Sequence, residues 1–169
     1  MLKYTEAIVG FSEVPEEITL CINISNCPIH CKGCHSPHLW QDIGEELNTA
    51  TLSNLIAKNQ GITCVAFMGG DAAILDILYL ARWVKDNTDL KVCWYSGRDA
   101  IGAEVQPKLH YFIDYLKLGP YVEVLGGLDS PTTNQRFFEV KQGTNGTSLK
   151  DITFKFRNNE TDNKNKSAD

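Results

Sequence analysis

Three cysteines within one short segment constrain this chain more than any other feature of its sequence. Cys27, Cys31 and Cys34 follow the spacing C-x3-C-x2-C, so a single loop carries three thiol groups that can surround a metal centre. The loop directly follows residues 18–24, whose alternating apolar side chains predict a β-strand. Ligands in parallel α/β folds bind beyond the carboxyl ends of strands, so this position is typical of a ligand site.

The number of cysteines narrows the kind of centre that the loop can hold. A structural zinc site normally has four protein ligands, whereas three cysteines suit a four-iron, four-sulfur (4Fe-4S) cluster with one iron left open for a small molecule. A zinc ion bound by the three cysteines and one of His30, His35 or His38 stays an alternative. A redox disulfide pair fits less well, because it leaves Cys27 unexplained.

Length and charge are those of a single cytoplasmic domain. The chain has 169 residues, 43% of them hydrophobic, and a net charge of -5 without a cluster of Lys and Arg, which argues against a nucleic-acid partner. No signal peptide and no apolar run of about 20 residues is visible, so we expect no membrane segment. Disulfides are rare in reducing cytosol, and we therefore expect all six cysteines to be reduced thiols or ligands.

Several strands and helices are predicted after the cysteine loop. Gly69-Gly70-Asp71 separates a predicted strand at 62–68 from a helix, with Asp71 as its N-cap residue. Cys21, Cys64 and Cys93 lie in predicted strands and have the pattern of buried packing residues. Further elements are predicted as strands at 4–11, 90–95, 113–116, 137–141 and 152–156, a helix at 52–58 with Thr51 as N-cap, and a helical stretch from Pro107.

The order of these elements predicts an α/β fold. Four or five strand-helix units are too few for a complete eight-stranded α/β barrel, which needs about 250 residues. We therefore expect residues 1–157 to form one domain, a partial barrel that is open on one side. Residues 158–169 are almost entirely polar and predict a disordered tail.

The motifs resemble those of one enzyme superfamily. The cysteine spacing is similar to that of the radical S-adenosylmethionine (SAM) enzymes, and within them the chain resembles the activating proteins of the anaerobic (class III) ribonucleotide reductase. The resemblance extends over about residues 19–140. Its matching positions are His30 in the first gap, the run Lys32-Gly33-Cys34, the pair Gly69-Gly70 and the segment Ser-Pro-Thr-Thr-Asn-Gln-Arg at 130–136.

The resemblance implies a partial (open) α/β barrel of the radical SAM type and two cofactors. Cys27, Cys31 and Cys34 would bind three irons of a 4Fe-4S cluster, and the open iron would bind the amino and carboxylate groups of SAM.

Other residues are expected near SAM on the same basis. Gly69, Gly70 and Asp71 would help to bind it, although the family usually has Glu where this chain has Asp71. Ser96 lies in a Tyr-Ser-Gly run similar to the family's Tyr-Thr-Gly. His35 follows the third cysteine, where the family often has an aromatic residue, and it could stack on adenine or be solvated.

The resemblance also implies an activating oxidoreductase in which no side chain is itself a catalytic residue. An external one-electron donor such as flavodoxin or ferredoxin would reduce the cluster, whose electron would cleave SAM to methionine and a 5'-deoxyadenosyl radical. That radical would take hydrogen from a glycine of the large subunit of anaerobic ribonucleotide reductase. Two alternatives stay open: a radical SAM enzyme that acts on another glycyl-radical enzyme or on a small molecule, and a non-catalytic zinc or iron-sulfur electron-transfer module.

Overall fold

An eight-stranded mixed β-sheet organises the fold. The computed structural model describes residues 1–103 and 105–157. In chain order its strands are β1 (Lys3–Gly10), β2 (Thr19–Ile24), β3 (Glu45–Glu46), β4 (Cys64–Met68), β5 (Lys91–Tyr95), β6 (Tyr115–Leu118), β7 (Arg136–Gly143) and β8 (Gly146–Asp151). In space they lie in the order β3-β1-β2-β4-β5-β6-β7-β8.

The four strands at the centre of the sheet are parallel. Strand β2 pairs with β4, β4 with β5, and β5 with β6, so their carboxyl ends lie along one edge of the sheet. Antiparallel strands extend the sheet on both sides, with β1 and β3 beyond β2, and β7 and β8 beyond β6. The loops that follow the four central strands therefore all leave from the same edge.

Side-chain alternation along the central strands separates two hydrophobic clusters. The larger cluster contains the aliphatic side chains of β2 together with Phe67 and Trp94, and it includes residues of both α-helices. The smaller cluster lies on the opposite face and contains the buried cysteines of the strands, packed with Tyr115 and Phe137. The sheet is thus covered on both faces, which explains why the sequences of its central strands are almost entirely apolar.

Two α-helices and three 3-10 helices complete the described part of the chain. They are α1 (Thr49–Lys58), α2 (Ile74–Asn87) and the 3-10 helices Pro37–Trp40, Gln106–Tyr111 and Thr153–Phe156. Asn48 caps α1, because its side chain accepts a hydrogen bond from the backbone N–H of Thr51 at 3.0 Å. The predicted cap of this helix, Thr51, is therefore wrong. The predicted cap of the second helix is also wrong, since α2 begins after Ala73 and not after Asp71.

The predicted partial (open) α/β barrel of the radical SAM type is wrong for this chain. The described residues form a mixed sheet with two α-helices and only three parallel strand pairs. The connection from β5 to β6 contains Gly97, Gly102 and Pro107, which disfavour a continuous α-helix, and a 3-10 helix forms there. After β6 the chain returns antiparallel as β7, so the alternation of strand and helix stops.

The end of the domain also differs from the prediction. The last strand is β8, which pairs with β7 across a two-residue turn between Gly143 and Gly146. The predicted strand at 152–156 is a 3-10 helix instead. The predicted disordered tail at 158–169 lies outside the described residues. No helix in the described ranges combines the length and apolar character needed to span a membrane.

Candidate metal centre

The cysteine loop leaves the carboxyl end of β2 and closes on itself at its base. The backbone N–H of Asn26 donates to the carbonyl of Gln41 at 2.9 Å, and that of Cys27 donates to the carbonyl of Leu39 at 2.9 Å. The three cysteines of the loop are half-buried free thiols. The loop therefore presents three accessible sulfur atoms at the edge where the central strands end.

The backbone of the loop adopts an unusual conformation at three positions. Asn26, His30 and Gly33 have positive φ angles of 60°, 50° and 77°, a region that residues other than glycine rarely adopt. The Sγ of Cys34 accepts a hydrogen bond from the backbone N–H of Ser36 at 3.4 Å. Hydrogen bonds of this kind stabilise a thiolate and tune the potential of an iron-sulfur cluster.

Two neighbouring loops support the cysteine loop. A Cβ atom placed on Gly97, just after β5, would lie 2.8 Å from the side chain of Ile29, so the cysteine loop rests against the end of β5. A Cβ atom on Gly33 would lie 3.0 Å from the carboxylate of Glu123. The rings of His35 and Tyr121 pack with their centroids 4.8 Å apart. Segments far apart in sequence therefore determine the position of the three cysteines.

The loop after β6, which carries Tyr121, is itself fixed by side chains. The Lys117 ammonium group donates to the carbonyl of Gly119 at 2.6 Å, and the Asn134 amide donates to the carbonyl of Pro120 at 2.9 Å. Asn134 belongs to the segment 130–136 that carried the family resemblance. In this structure the segment holds the loop that packs against the cysteine loop.

The glycine pair after β4 needs glycine at both positions. Gly69 and Gly70 have φ angles of 115° and 90°, and a Cβ atom on Gly70 would overlap the side chain of Ile77. The Trp94 ring N–H donates to the carbonyl of Gly69 at 2.8 Å. The pair is thus held at the end of β4, beside β5, with its backbone fixed by the packed core.

Asp71 and Ser96, two predicted SAM contacts, bind one another. The Ser96 hydroxyl donates to Oδ1 of Asp71 at 2.6 Å, and the Gly97 N–H donates to Oδ2 at 2.9 Å. Arg98 donates to the main-chain carbonyl of Asp71 at 2.9 Å. Asp71 is only 2% exposed. Its carboxylate is therefore used to join the turn after β4 to the turn after β5.

The other three cysteines are fully buried, as the sequence pattern predicted. Cys21, Cys64 and Cys93 lie in the smaller hydrophobic cluster. Burial raises the pKa of Cys21 to about 12 and also raises the pKa of the Cys64 and Cys93 thiols well above the usual range. Because metal ligands and nucleophiles must be thiolates, these three are packing residues.

Lys117 belongs to this site although the sequence pattern did not single it out. The residue is 8% exposed. Burial lowers its pKa to about 8, while the negative charges of Cys31, Asp71 and Cys27 act in the opposite direction. The available signal was a single lysine within the otherwise apolar run of β6, which places a charged group at a buried position.

Three half-buried cysteines on one loop form a donor set that suits a 4Fe-4S cluster. In residues 1–103 and 105–157, no group of three or more His, Cys, Asp or Glu side chains is placed to hold one metal ion. A 4Fe-4S cluster binds each thiolate through a different iron. His30 stacks on Trp40, with ring centroids 4.9 Å apart.

A comparison with known families assigns the chemical class of the site. Residues 17–127, about two thirds of the chain, match the family model described as "4Fe-4S single cluster domain". The matched range includes the cysteine loop, the glycine pair and the loop that carries Tyr121. No curated protein and no solved structure matches the chain.

Proposed function

Because the chain belongs to the 4Fe-4S single cluster domain family, we propose that Cys27, Cys31 and Cys34 bind the cluster and that its fourth iron binds SAM. The observation that carries the proposal is the division of the six cysteines into three half-buried thiols on one loop and three buried in the core. Four cysteine ligands are the usual set for a 4Fe-4S cluster. This chain offers three, which leaves one iron for a small molecule.

The glycine pair would bind SAM through its backbone. Gly69 and Gly70 follow β4 at the same edge of the sheet as the cysteine loop, and the absence of Cβ atoms lets a ligand approach the main chain closely. The Asp71 carboxylate already accepts hydrogen bonds from Ser96 and Gly97. We therefore assign Asp71 and Ser96 the task of positioning the glycine pair.

His35 keeps the two roles expected for it, stacking on adenine or solvation. Its ring packs on Tyr121, which ties the residue after the third cysteine to the loop after β6. The residue is exposed, so its ring is open to solvent and to a bound ligand.

The reaction supported by the resemblance is the reductive cleavage of SAM. An external one-electron donor such as flavodoxin or ferredoxin would deliver the electron that the cluster, when bound, passes to SAM. Transfer of that electron would break the carbon–sulfur bond of SAM, release methionine and supply the chemistry that removes a hydrogen atom from the substrate. This chain's own residues hold the cluster ligands and the SAM backbone contacts in place.

The proposed substrate is a glycine of the large subunit of anaerobic ribonucleotide reductase, which would be left with a glycyl radical. The segment 130–136, which resembles the reductase activators, contacts the loop at 119–121 through the hydrogen bond from Asn134 to Pro120. Tyr121 and Glu123 from the same region contact the cysteine loop. These segments lie beside the cysteine loop, where a protein substrate would have to reach.

Anaerobic cluster reconstitution and electron paramagnetic resonance (EPR) test the proposal. The reduced protein should give a 4Fe-4S signal whose shape changes when SAM is added. Addition of the reductase, an electron donor and SAM should then give a glycyl radical signal, which a reductase with alanine in place of its radical glycine should not show. A 4Fe-4S signal that SAM leaves unchanged would instead support an electron-transfer module, and uptake of zinc in place of iron would refute the cluster.

A further inference from the structure

Lys117 brings a buried positive charge to the site. Its ammonium group has three N–H donors, and in the described part of the chain it makes one hydrogen bond, to the carbonyl of Gly119. The residue is 8% exposed. A buried ammonium group is costly unless nearby negative charge compensates it. The position of Lys117 therefore requires acidic groups close to its side chain.

Strand register places Lys117 beneath the cysteine loop. Asn23, Met68, Tyr95 and Lys117 form one row across β2, β4, β5 and β6, at the carboxyl ends of these strands. The cysteine loop starts shortly after Asn23 and crosses to the end of β5, where Ile29 packs against Gly97. The row is therefore the last layer of side chains below the loop.

A buried carboxylate lies close to Lys117. Ser96 donates its backbone N–H to the carbonyl of Lys117 at 2.9 Å and its hydroxyl to Oδ1 of Asp71 at 2.6 Å. Asp71 is 2% exposed, so its charge is also shielded from water. Three thiolates give a cysteine-bound 4Fe-4S cluster a net negative charge, and reduction adds one more. A cation below the loop stabilises the reduced form more than the oxidised form.

We propose that Lys117 is a positioning residue whose ammonium group offsets the negative charge of the cluster and raises its reduction potential. The proposal rests on ligation by the three loop cysteines but not on SAM cleavage. It gives the chain a way to accept an electron more easily from its donor. The effect acts through charge, so arginine should preserve it and a neutral residue should not.

The test compares midpoint potentials of the cluster, measured by EPR-monitored titration without SAM. In K117Q the glutamine amide can still donate to the Gly119 carbonyl, so this variant removes mainly the charge. K117R keeps the charge. K58Q removes the same charge from the exposed end of α1, which packs on the opposite face of the sheet. We expect a more negative midpoint for K117Q, and values close to wild type for K117R and K58Q.

The outcomes separate this role from the proposed function. A wild-type midpoint in K117Q would overturn the role of Lys117 alone. If K117Q folds, as judged by circular dichroism, but holds no cluster while K117R does, the charge is needed and the proposal stands. Loss of the fold or of the cluster in both K117Q and K117R would show that Lys117 has a packing role, and it would overturn the proposal. Wild-type protein that takes up no iron would refute the proposed function and this role together.

Discussion

The Asp71 carboxylate accepts a 2.6 Å hydrogen bond from the Ser96 hydroxyl, and this bond joins two turns that are 25 residues apart in sequence. Both side chains are almost fully buried. A buried hydrogen bond to a charged group contributes about 1.5–3 kcal/mol to stability. The contact therefore fixes the relative position of the turns after β4 and β5, which both border the candidate metal centre.

Removal of the Ser96 hydroxyl should destabilise the protein. We expect Ser96→Ala to lower the free energy of unfolding by about 1.5–3 kcal/mol in urea titrations, because the Asp71 carboxylate loses a donor in a buried place. Asp71→Glu should also destabilise, by about 1–3 kcal/mol, since an extra methylene must fit into a packed site. The exposed Ser53→Ala, on α1, is the control. A Ser96→Ala protein as stable as this control would contradict the role given to the bond.

The six cysteines should divide into two groups of three. Cys27→Ala, Cys31→Ala and Cys34→Ala should each abolish cluster assembly, measured as iron per protein and visible absorbance. Cys21→Ala, Cys64→Ala and Cys93→Ala should retain the iron and lose about 1 kcal/mol of stability each, a common effect of core substitutions. A Cys93→Ala protein that folds but loses its iron would show that the division is wrong.

Stability and cluster assembly should require glycine at position 33 for two reasons, which can be tested separately. Its φ angle of 77° disfavours any other residue, and a Cβ atom would press on Glu123. Gly61 has a φ of 87° with nothing near its Cβ position, so Gly61→Ala measures the backbone cost alone, about 1–3 kcal/mol. Gly33→Ala should destabilise more than this control and slow cluster assembly. Equal losses of stability in the two variants would show that the contact with Glu123 is unimportant.

Stability should fall on the alkaline side because of the buried thiols. Burial raises the pKa of Cys21 from 9.0 to about 12, so above pH 9 the unfolded chain loses this proton while the folded protein keeps it. Folding then becomes less favourable as pH rises from about 9 to 12, by about 1.4 kcal/mol per pH unit for each such thiol. Urea titrations under reducing conditions between pH 8 and 10.5 should show a shallower decline for Cys21→Ala. Parallel declines would contradict the burial effect.

Local patterns in the sequence predicted the elements near the site but not their assembly. The apolar runs of β4 and β5 identified these strands because both of their faces are covered. Strand β8 was missed, since its residues Gly-Thr-Ser-Leu-Lys-Asp at 146–151 are mostly polar and pair only at the edge of the sheet. The barrel was wrong because the antiparallel return of β7 depends on pairing with a distant strand, which local periodicity does not encode.

Local sequence patterns identified some residues of the candidate site, but they did not identify the contacts that the fold creates between distant residues. The spacing of Cys27, Cys31 and Cys34 is visible in the sequence because the three candidate ligands are close together along the chain. Asp71 was expected to cap a helix because apolar residues at helical spacing follow it, but its side-chain partner is Ser96, which no local rule identifies. The place of Lys117 depends on the register of four strands, which only the folded sheet reveals.

The supports of the cysteine loop have a consequence for biosynthesis. The three cysteines appear early, at residues 27–34, but the groups that hold their loop, Gly97, Tyr121 and Glu123, come much later in the chain. A ribosome therefore makes the three thiols well before it makes the supports of their loop. If these cysteines bind the cluster as proposed, we expect its insertion to follow synthesis of the loop after β6.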